Sequence, residues 1–230
     1  MTRRPSPWSR RDCLRQLLVR LPLLGAAPAI GLSAGCSLGS GQRVDFQVLR
    51  DAGAKAGETV SPGGAGAARI DKVLLLASGA LPGLYDSDHM VFSADGRSRS
   101  YFQFGYWSER PAQALMLLAE ARFTRTQNFR QVALSTAGVR GDLLLTLRLD
   151  ELYLDASADP GQVKLVLSAE LVDWQQRKLL ARRGFSQLAT VATRDASGVA
   201  RAASEAAGVM LAELVDWATA SAAASTTPAA

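Results

Sequence analysis

The chain has 230 residues, with 26 Lys and Arg against 21 Asp and Glu, which gives a formal net charge of +5. Residues 1–35 hold six of the arginines and one acidic residue, Asp12, so the rest has 26 − 6 = 20 basic and 21 − 1 = 20 acidic residues. A neutral domain does not favour nucleic acid, whose binding depends on phosphate contacts from Lys and Arg. Two cysteines and one histidine do not make a zinc site or a disulfide framework. We therefore expect no nucleic-acid partner, no metal and no cofactor.

Residues 1–35 have the organisation of a bacterial lipoprotein signal peptide. A basic region, in which Arg10 and Arg11 resemble a twin-arginine export signal, precedes an apolar stretch over residues 21–32. The segment ends at Cys36, which follows a small residue and a glycine as in the bacterial lipobox. We predict that residues 1–35 are removed, that Cys36 is lipidated and that residues 36–43 are a tether. Sec and twin-arginine export both stay open.

An uncleaved membrane anchor is the alternative for this segment. A transmembrane helix needs ~20 predominantly apolar residues. Arg20, Pro22 and Pro28 interrupt the apolar run before it reaches that length. The sequence therefore favours a cleaved signal peptide over a membrane span.

The first half of the remaining chain predicts short strands separated by turns. The Gly- and Pro-containing segment 52–68 is expected to be a flexible loop. The apolar run that follows it has the length of a buried strand, and Asp95-Gly96 is a hairpin signal between two later strands. The predicted strands are residues 44–49, 69–77, 90–92 and 101–107.

The second half predicts two helices and an antiparallel meander. Ser108 as an N-cap and Pro111 in the first turn predict a helix over residues 109–125. The alternating leucines between 142 and 155 change parity at Asp150-Glu151, which predicts a bulge. The other predicted elements are strands at 129–134, 163–171 and 179–189, an apolar-striped helix at 196–217 and a disordered tail at 219–230.

These elements predict an α+β fold, with a mixed, largely antiparallel sheet of about six strands and two main helices packed on it. We expect a single domain over residues 44–218. A chain of this length buries roughly 70% of its extended surface, so one core without disulfides is sufficient.

The only histidine, His89, stands close to two acidic residues, Asp86 and Asp88. Two acids and one histidine within four residues lack the spacing of metal sites and catalytic clusters, so we interpret them as polar residues at the entrance of a strand. We predict that the protein is not an enzyme.

The aromatic strand at 101–107 is the candidate site. Strict alternation would place Phe102, Phe104 and Tyr106 on one face and Tyr101 and Trp107 on the other. Burial between a core and a helix is one interpretation of these five residues, and a surface that contacts a partner protein or lipid is the other.

The order of these features resembles the ABC-type transport auxiliary lipoprotein family. This family is similar to the lipoproteins encoded with paraquat-inducible and other mammalian-cell-entry (MCE) type lipid transport systems. The resemblance covers nearly all of residues 44–218. It is carried by the lipoprotein signal, Phe46-x-Val48-Leu49, residues 70–76, Met90-Val91-Phe92, residues 101–106, Trp107-x-x-x-Pro111, the meander and a helix ending in Trp217.

The resemblance implies a noncatalytic subunit that faces the periplasm. Its expected partners are an ATPase, a permease and an MCE-domain protein of the inner membrane, with phospholipid contact and a homo-oligomer left open. Ser37, in the absence of an aspartate after Cys36, implies transfer to the outer membrane. Several acyl chains would give firm anchoring.

Two other classes stay open. An envelope-assembly or activator lipoprotein, including a secretin-pilot type, would need a groove for a partner peptide. A lipoprotein hydrolase would need a pocket that gathers His89 with Asp86 or Asp88 and a serine.

Overall fold

A mixed eight-stranded sheet carries two helices on one of its faces. The computed structural model describes residues 44–54, 69–80 and 82–225. The predicted signal peptide, Cys36, the tether and most of the predicted loop 52–68 lie outside these residues. The elements are β1 (Phe46–Gln47), β2 (Ile70–Ser78), β3 (His89–Ser93), β4 (Ser100–Trp107), α1 (Pro111–Thr126), β5 (Phe129–Leu134), β6 (Leu143–Asp155), β7 (Gln162–Asp173), β8 (Lys178–Thr190) and α2 (Ala196–Ala224).

Strand β6 organises the sheet. One of its edges pairs along its length with antiparallel β7, which pairs in turn with antiparallel β8. Its other edge is shared, because the first half pairs with parallel β2 and the last residues pair with parallel β3. The sheet continues from β2 to parallel β5, and from β3 through antiparallel β4 to parallel β1.

The predicted α+β class is confirmed, as are the hairpin of β3 with β4 and the meander of β6, β7 and β8. The sheet has eight strands instead of about six, and four of its pairings are parallel. Alternation of apolar residues marks a strand without naming its neighbour, so the parallel pairings were not predictable from parity.

The predicted bulge in β6 is also present. The register with β7 shifts between Leu149 and Glu151. The extra residue restores the phase, so that Leu149 before it and Leu152 and Leu154 after it are all buried. Both halves of the strand therefore contribute to one core.

Helix α1 begins without the predicted side-chain cap. Pro111 is its first residue, and Arg110 is at the N-cap position with no side-chain hydrogen bond. Ser108 instead donates its backbone N–H to the Gln47 carbonyl at 2.7 Å, so it extends the pairing of β4 with β1. The prediction that Ser108 caps the helix is wrong because Ser108 pairs with β1 as a continuation of β4, two residues before the N-cap position.

Helix α2 has a side-chain N-cap, Asp195, and it is longer than predicted. Asp195 accepts a hydrogen bond from the backbone N–H of Gly198 at 2.7 Å. The helix continues to Ala224, so the predicted disorder is wrong for residues 219–224. Alanine is the best helix former, and Ala218 and Ala222 are fully buried against the core.

Candidate functional site

A row of four rings crosses the three outermost strands at one end of the sheet, β1, β4 and β3, and two of the rings are exposed and two are half-buried. Phe46 is 60% exposed, and its ring centroid lies 5.9 Å from that of Tyr106. Tyr106 is followed at 4.8 Å by His89, and His89 at 5.1 Å by Tyr101. We call Phe46, Tyr106, His89 and Tyr101 the aromatic edge surface. The exposure of Phe46 and Tyr101 in this row makes it the candidate contact site.

A bulge in β4 brings the two tyrosines to the same side. His89 pairs with Tyr106 and Val91 with Tyr101, so a step of two residues on β3 spans five on β4. The prediction that Tyr101 and Tyr106 lie on opposite faces is therefore wrong. Strict alternation does not hold across a strand with extra residues.

The residues inside this bulge differ in their exposure. Phe102 packs edge-on against Phe92 with centroids 5.2 Å apart, while Phe104 is exposed. A Cβ at Gly105 would lie 2.7 Å from Phe102 Cβ and 3.2 Å from Met90 Sδ, so the bulge requires a glycine there.

Trp107 belongs to the core and not to the aromatic edge surface. It is 3% exposed, and its backbone N–H donates to the Asp88 carbonyl at 2.6 Å. Of the five aromatic residues of the predicted strand, Tyr101 and Phe104 are exposed, while Phe102 and Tyr106 are half-buried. Trp107 fixes the position of the strand from inside.

His89 is held by the rings, and among the described residues one acid lies within ion-pair distance of it. Its Nδ1 lies 3.3 Å from Asp88, while Asp86 bonds Arg110 instead, at 3.1 Å. Ser87 Oγ accepts a hydrogen bond from the backbone N–H of His89 and not from its ring. Within residues 44–54, 69–80 and 82–225, no cluster of His, Cys, Asp and Glu could hold a metal ion.

The hairpin that carries the rings is fixed at its turn, residues 94–99. Asp95 accepts hydrogen bonds from the backbone N–H groups of Ser98 and Arg97, and these hold the pKa of its carboxyl well below the ordinary value. The guanidinium of Arg99 lies over the Tyr153 ring, 3.6 Å from its centroid. Burial raises the pKa of Tyr85, whose hydroxyl bonds Arg99, so this phenol is neutral.

A buried salt bridge positions the chain that follows β1. Asp51 accepts from Arg122 Nε at 2.8 Å and from Arg125 at 3.1 Å, and its side chain is 4% exposed. The backbone N–H of Arg50 donates to Ser204 Oγ at 3.1 Å. We call Asp51, Arg122, Arg125 and Ser204 the N-terminal latch. It fastens residues 50–52 to both helices and so places Phe46 at the sheet edge.

The latch was missed by sequence reasoning, which ended the first strand at residue 49 and began a loose loop at residue 52. Two arginines three positions apart on a helix with a buried face were the available signal. A cation on such a face needs an acidic partner.

A groove of about 370 Å³ lies between α1 and the ends of β2 and β5. Leu76, Met116 and Leu134 are among its apolar walls. The exposed ion pair of Asp86 with Arg110 also lines it.

The architecture is that of an α+β domain with one helix-covered sheet face and an aromatic sheet edge. The model of the ABC-type transport auxiliary lipoprotein component family matches residues 55–215, more than half of the chain. The protein belongs to this family, which confirms the resemblance seen in its sequence. Association with an ABC transport system is what the family name implies.

Solved structures share the fold. Protein XCC0632 from Xanthomonas campestris, of family DUF330, has a TM-score of 0.70 and 18% identity, and the match covers 79% of this chain and 98% of that one. An uncharacterized protein has a TM-score of 0.55 and 13% identity over 70% of this chain and 99% of that one. No curated protein matches the chain. Among the described residues, neither helix is long and apolar enough to cross a membrane.

Proposed function

We propose that the protein is the noncatalytic, lipid-anchored auxiliary subunit of an ABC-type lipid transport system. Acyl chains on Cys36 hold it to the outer membrane, and it docks an MCE-domain protein whose permease and ATPase are in the inner membrane. Family membership supports the transport role. The serine after Cys36 supports the outer membrane. A phospholipid or another hydrophobic solute would then cross the periplasm without meeting bulk water.

The aromatic edge surface is the observation that carries the docking role. Aromatic side chains are enriched in the energetically dominant positions of protein interfaces. The surface is directly continuous with residues 44–45, toward which the predicted tether leads. The N-terminal latch holds it in place before a partner arrives, which lowers the entropic cost of docking.

The docking role is tested by replacing exposed rings. Phe46→Ser together with Tyr101→Ser should leave thermal unfolding near wild type and reduce co-purification with the MCE-domain protein at least tenfold, because hot-spot residues contribute ~2 kcal/mol or more. Leu188→Ser, at another exposed apolar residue on β8, is the matched control. Undiminished co-purification of the double variant would show that docking uses another surface.

The absence of catalysis is a second part of the proposal. His89 packs between two tyrosine rings, and in the part of the chain that the structure describes Asp88 is the one acidic side chain within ion-pair distance of its ring. His89→Phe keeps a ring there and removes the imidazole nitrogens, so it should leave transport-linked phenotypes such as membrane-stress sensitivity unchanged. A null phenotype from a normally folded His89→Phe protein would favour the hydrolase instead.

The groove beside α1 favours the envelope-assembly alternative, which needs a site for a partner peptide. Its volume is near the lower end of the ~300–1,000 Å³ typical of binding pockets. Met116→Trp would fill it from the α1 side. Loss of partner binding in this variant, with the aromatic edge surface intact, would support the alternative.

A further inference from the structure

A second exposed patch lies at the turn that joins β7 to β8, on the side of the sheet that the helices leave uncovered. Trp174 is 51% exposed and lines a shallow depression with Val172 and Arg177. Leu179, paired with Val172 across the hairpin, is also exposed. A tryptophan that projects from a tight turn does not contribute to the core.

The neighbouring loop at residues 138–141 adds to the patch. The backbone N–H of Trp174 donates to the Asp142 carbonyl at 2.9 Å, and Gln175 Nε2 donates to the Gly141 carbonyl at 3.0 Å. These bonds bring Val139 and Arg140, both exposed, to the same end of the sheet. We call Val139, Arg140, Trp174, Arg177, Lys178 and Leu179 the tryptophan end.

The charged side chains of the tryptophan end are all basic. Arg140, Arg177 and Lys178 are exposed, and none of them is in ion-pair distance of an acidic side chain in the described part of the chain. The nearby acids are engaged elsewhere. Asp173 binds the backbone N–H groups of the turn and lies 3.9 Å from Lys72, and Asp142 binds the Val73 N–H and Arg130.

We propose that the tryptophan end contacts the surface of an anionic phospholipid bilayer. Tryptophan prefers the headgroup region of membranes, where its ring is apolar and its N–H finds a polar partner. Arginine and lysine place their apolar stems along the same region and their charges among anionic headgroups. The turn between β7 and β8 presents the tryptophan ring, the apolar stems and the positive charges together at one end of the sheet.

Charge complementarity separates this partner from a second copy of the chain. In a two-fold contact between identical patches, the unpaired cations would face one another and repel. An acidic protein would satisfy the cations as well, so the test must distinguish it from lipid.

The test uses the full chain, purified from membranes and reconstituted in vesicles of phosphatidylglycerol and phosphatidylcholine with brominated acyl chains. Bromine quenches tryptophan fluorescence only at close range. The part of the quenching that Trp174→Phe removes reports Trp174 alone, because every other tryptophan of the protein is unchanged. We expect this part to be large in phosphatidylglycerol vesicles, to fall with added salt, and to be small in pure phosphatidylcholine.

Charge reversal provides the second arm. Each lost cation should weaken the contact about fivefold. Arg177→Glu with Lys178→Glu should therefore nearly abolish Trp174 quenching. Arg97→Glu with Arg201→Glu makes the same change in net charge at two other exposed sites and should have little effect.

The proposal is overturned if Trp174 is not quenched in phosphatidylglycerol vesicles, or is quenched equally in phosphatidylcholine. It is also overturned if the Arg177 and Lys178 reversals leave quenching intact and remove a co-purifying protein, since the patch then binds that protein. None of these outcomes bears on docking by the aromatic edge surface.

Discussion

The buried carboxylate of Asp51 is central to the contacts that join the chain after β1 to both helices. It bonds two arginines of α1, and Arg122 also reaches the Gly208 carbonyl of α2 at 3.2 Å. The backbones of residues 52–53 and Gly208 approach so closely that a Cβ on Gly208 would lie 2.5 Å from the Gly53 nitrogen. The Asp51 salt bridge and the close backbone contact at Gly208 therefore stabilise the same region, where residues 51–53 meet the two helices.

Removing one partner of this salt bridge should be strongly destabilising. Asp51→Ala leaves Arg122 buried without its carboxylate, and we expect a loss of about 3–5 kcal/mol in the free energy of unfolding. Urea denaturation measures this loss. Arg110→Ala, which breaks the exposed pair with Asp86, should cost at most about 1 kcal/mol. Equal losses would mean that burial does not govern the strength of these pairs.

The stability of the N-terminus of α2 depends on pH through the carboxylate of Asp195. The Gly198 N–H, followed by the Ser197 hydroxyl, lowers the pKa of Asp195 in the folded state. A lowered pKa contributes stability that is present above the unfolded value, ~3.9, and is lost as the pH falls through the folded value.

Asp195→Ala should therefore lower stability at pH 7 by about 0.5–2 kcal/mol. Asp195→Asn keeps a capping oxygen, so it should stay close to wild type at pH 7 and show a weaker loss of stability between pH 5 and 2. Thermal unfolding across this pH range measures both effects. An unchanged acid slope in Asp195→Asn would exclude this carboxylate as a source of acid sensitivity.

Among the elements, α2 departs most from its predicted extent. The apolar stripe ends at Trp217, whose ring packs edge-on against Phe185 with centroids 5.7 Å apart. The helix continues because its alanines both favour helical backbone and fit closely against the core. Ala222 is fully buried, while the next residue, Ala223, is exposed.

This difference gives a matched pair of variants. Ala222→Asp places a carboxylate against an apolar core and should cost about 2–3 kcal/mol. Ala223→Asp adds the same group in solvent and should change stability by no more than about 0.5 kcal/mol. Thermal unfolding of both proteins measures the contrast. Equal, small effects would mean that the last turns of α2 do not pack in solution.

The comparison of β6 with β4 explains what the sequence could predict. In β6, leucines occupy nearly every inward position, so a one-residue shift in their parity was visible and located the bulge correctly. In β4, aromatic residues occupy both parities, and no shift could be seen. The sequence therefore located the candidate strand, but the side of the sheet on which each ring lies depends on the pairing of this strand with β3. Asp51 was missed because its partners are about 70 residues away in the chain.

For the protein in its membrane context, anchoring is the first property to test. Cys36→Ala should release the protein from membranes as a precursor or periplasmic species, because the thiol that would carry the acyl chains is gone. Membrane fractionation and mass spectrometry of the N-terminal peptide measure the outcome. Unchanged attachment without an acyl group at Cys36 would contradict the lipoprotein signal.

The N-terminal latch also determines how the domain would respond to tension on such an anchor. A pull on Val44 meets β1 first, and this strand pairs with β4 over only two residues. Phe46 and Gln47 would peel away, and the pull would then stop at Asp51, whose salt bridge is the first strong hold. Six residues, 44–49, would add at most ~20 Å of reach while the rest of the fold stays intact. The latch is thus a mechanical stop, with a short length of extensible chain between it and the membrane.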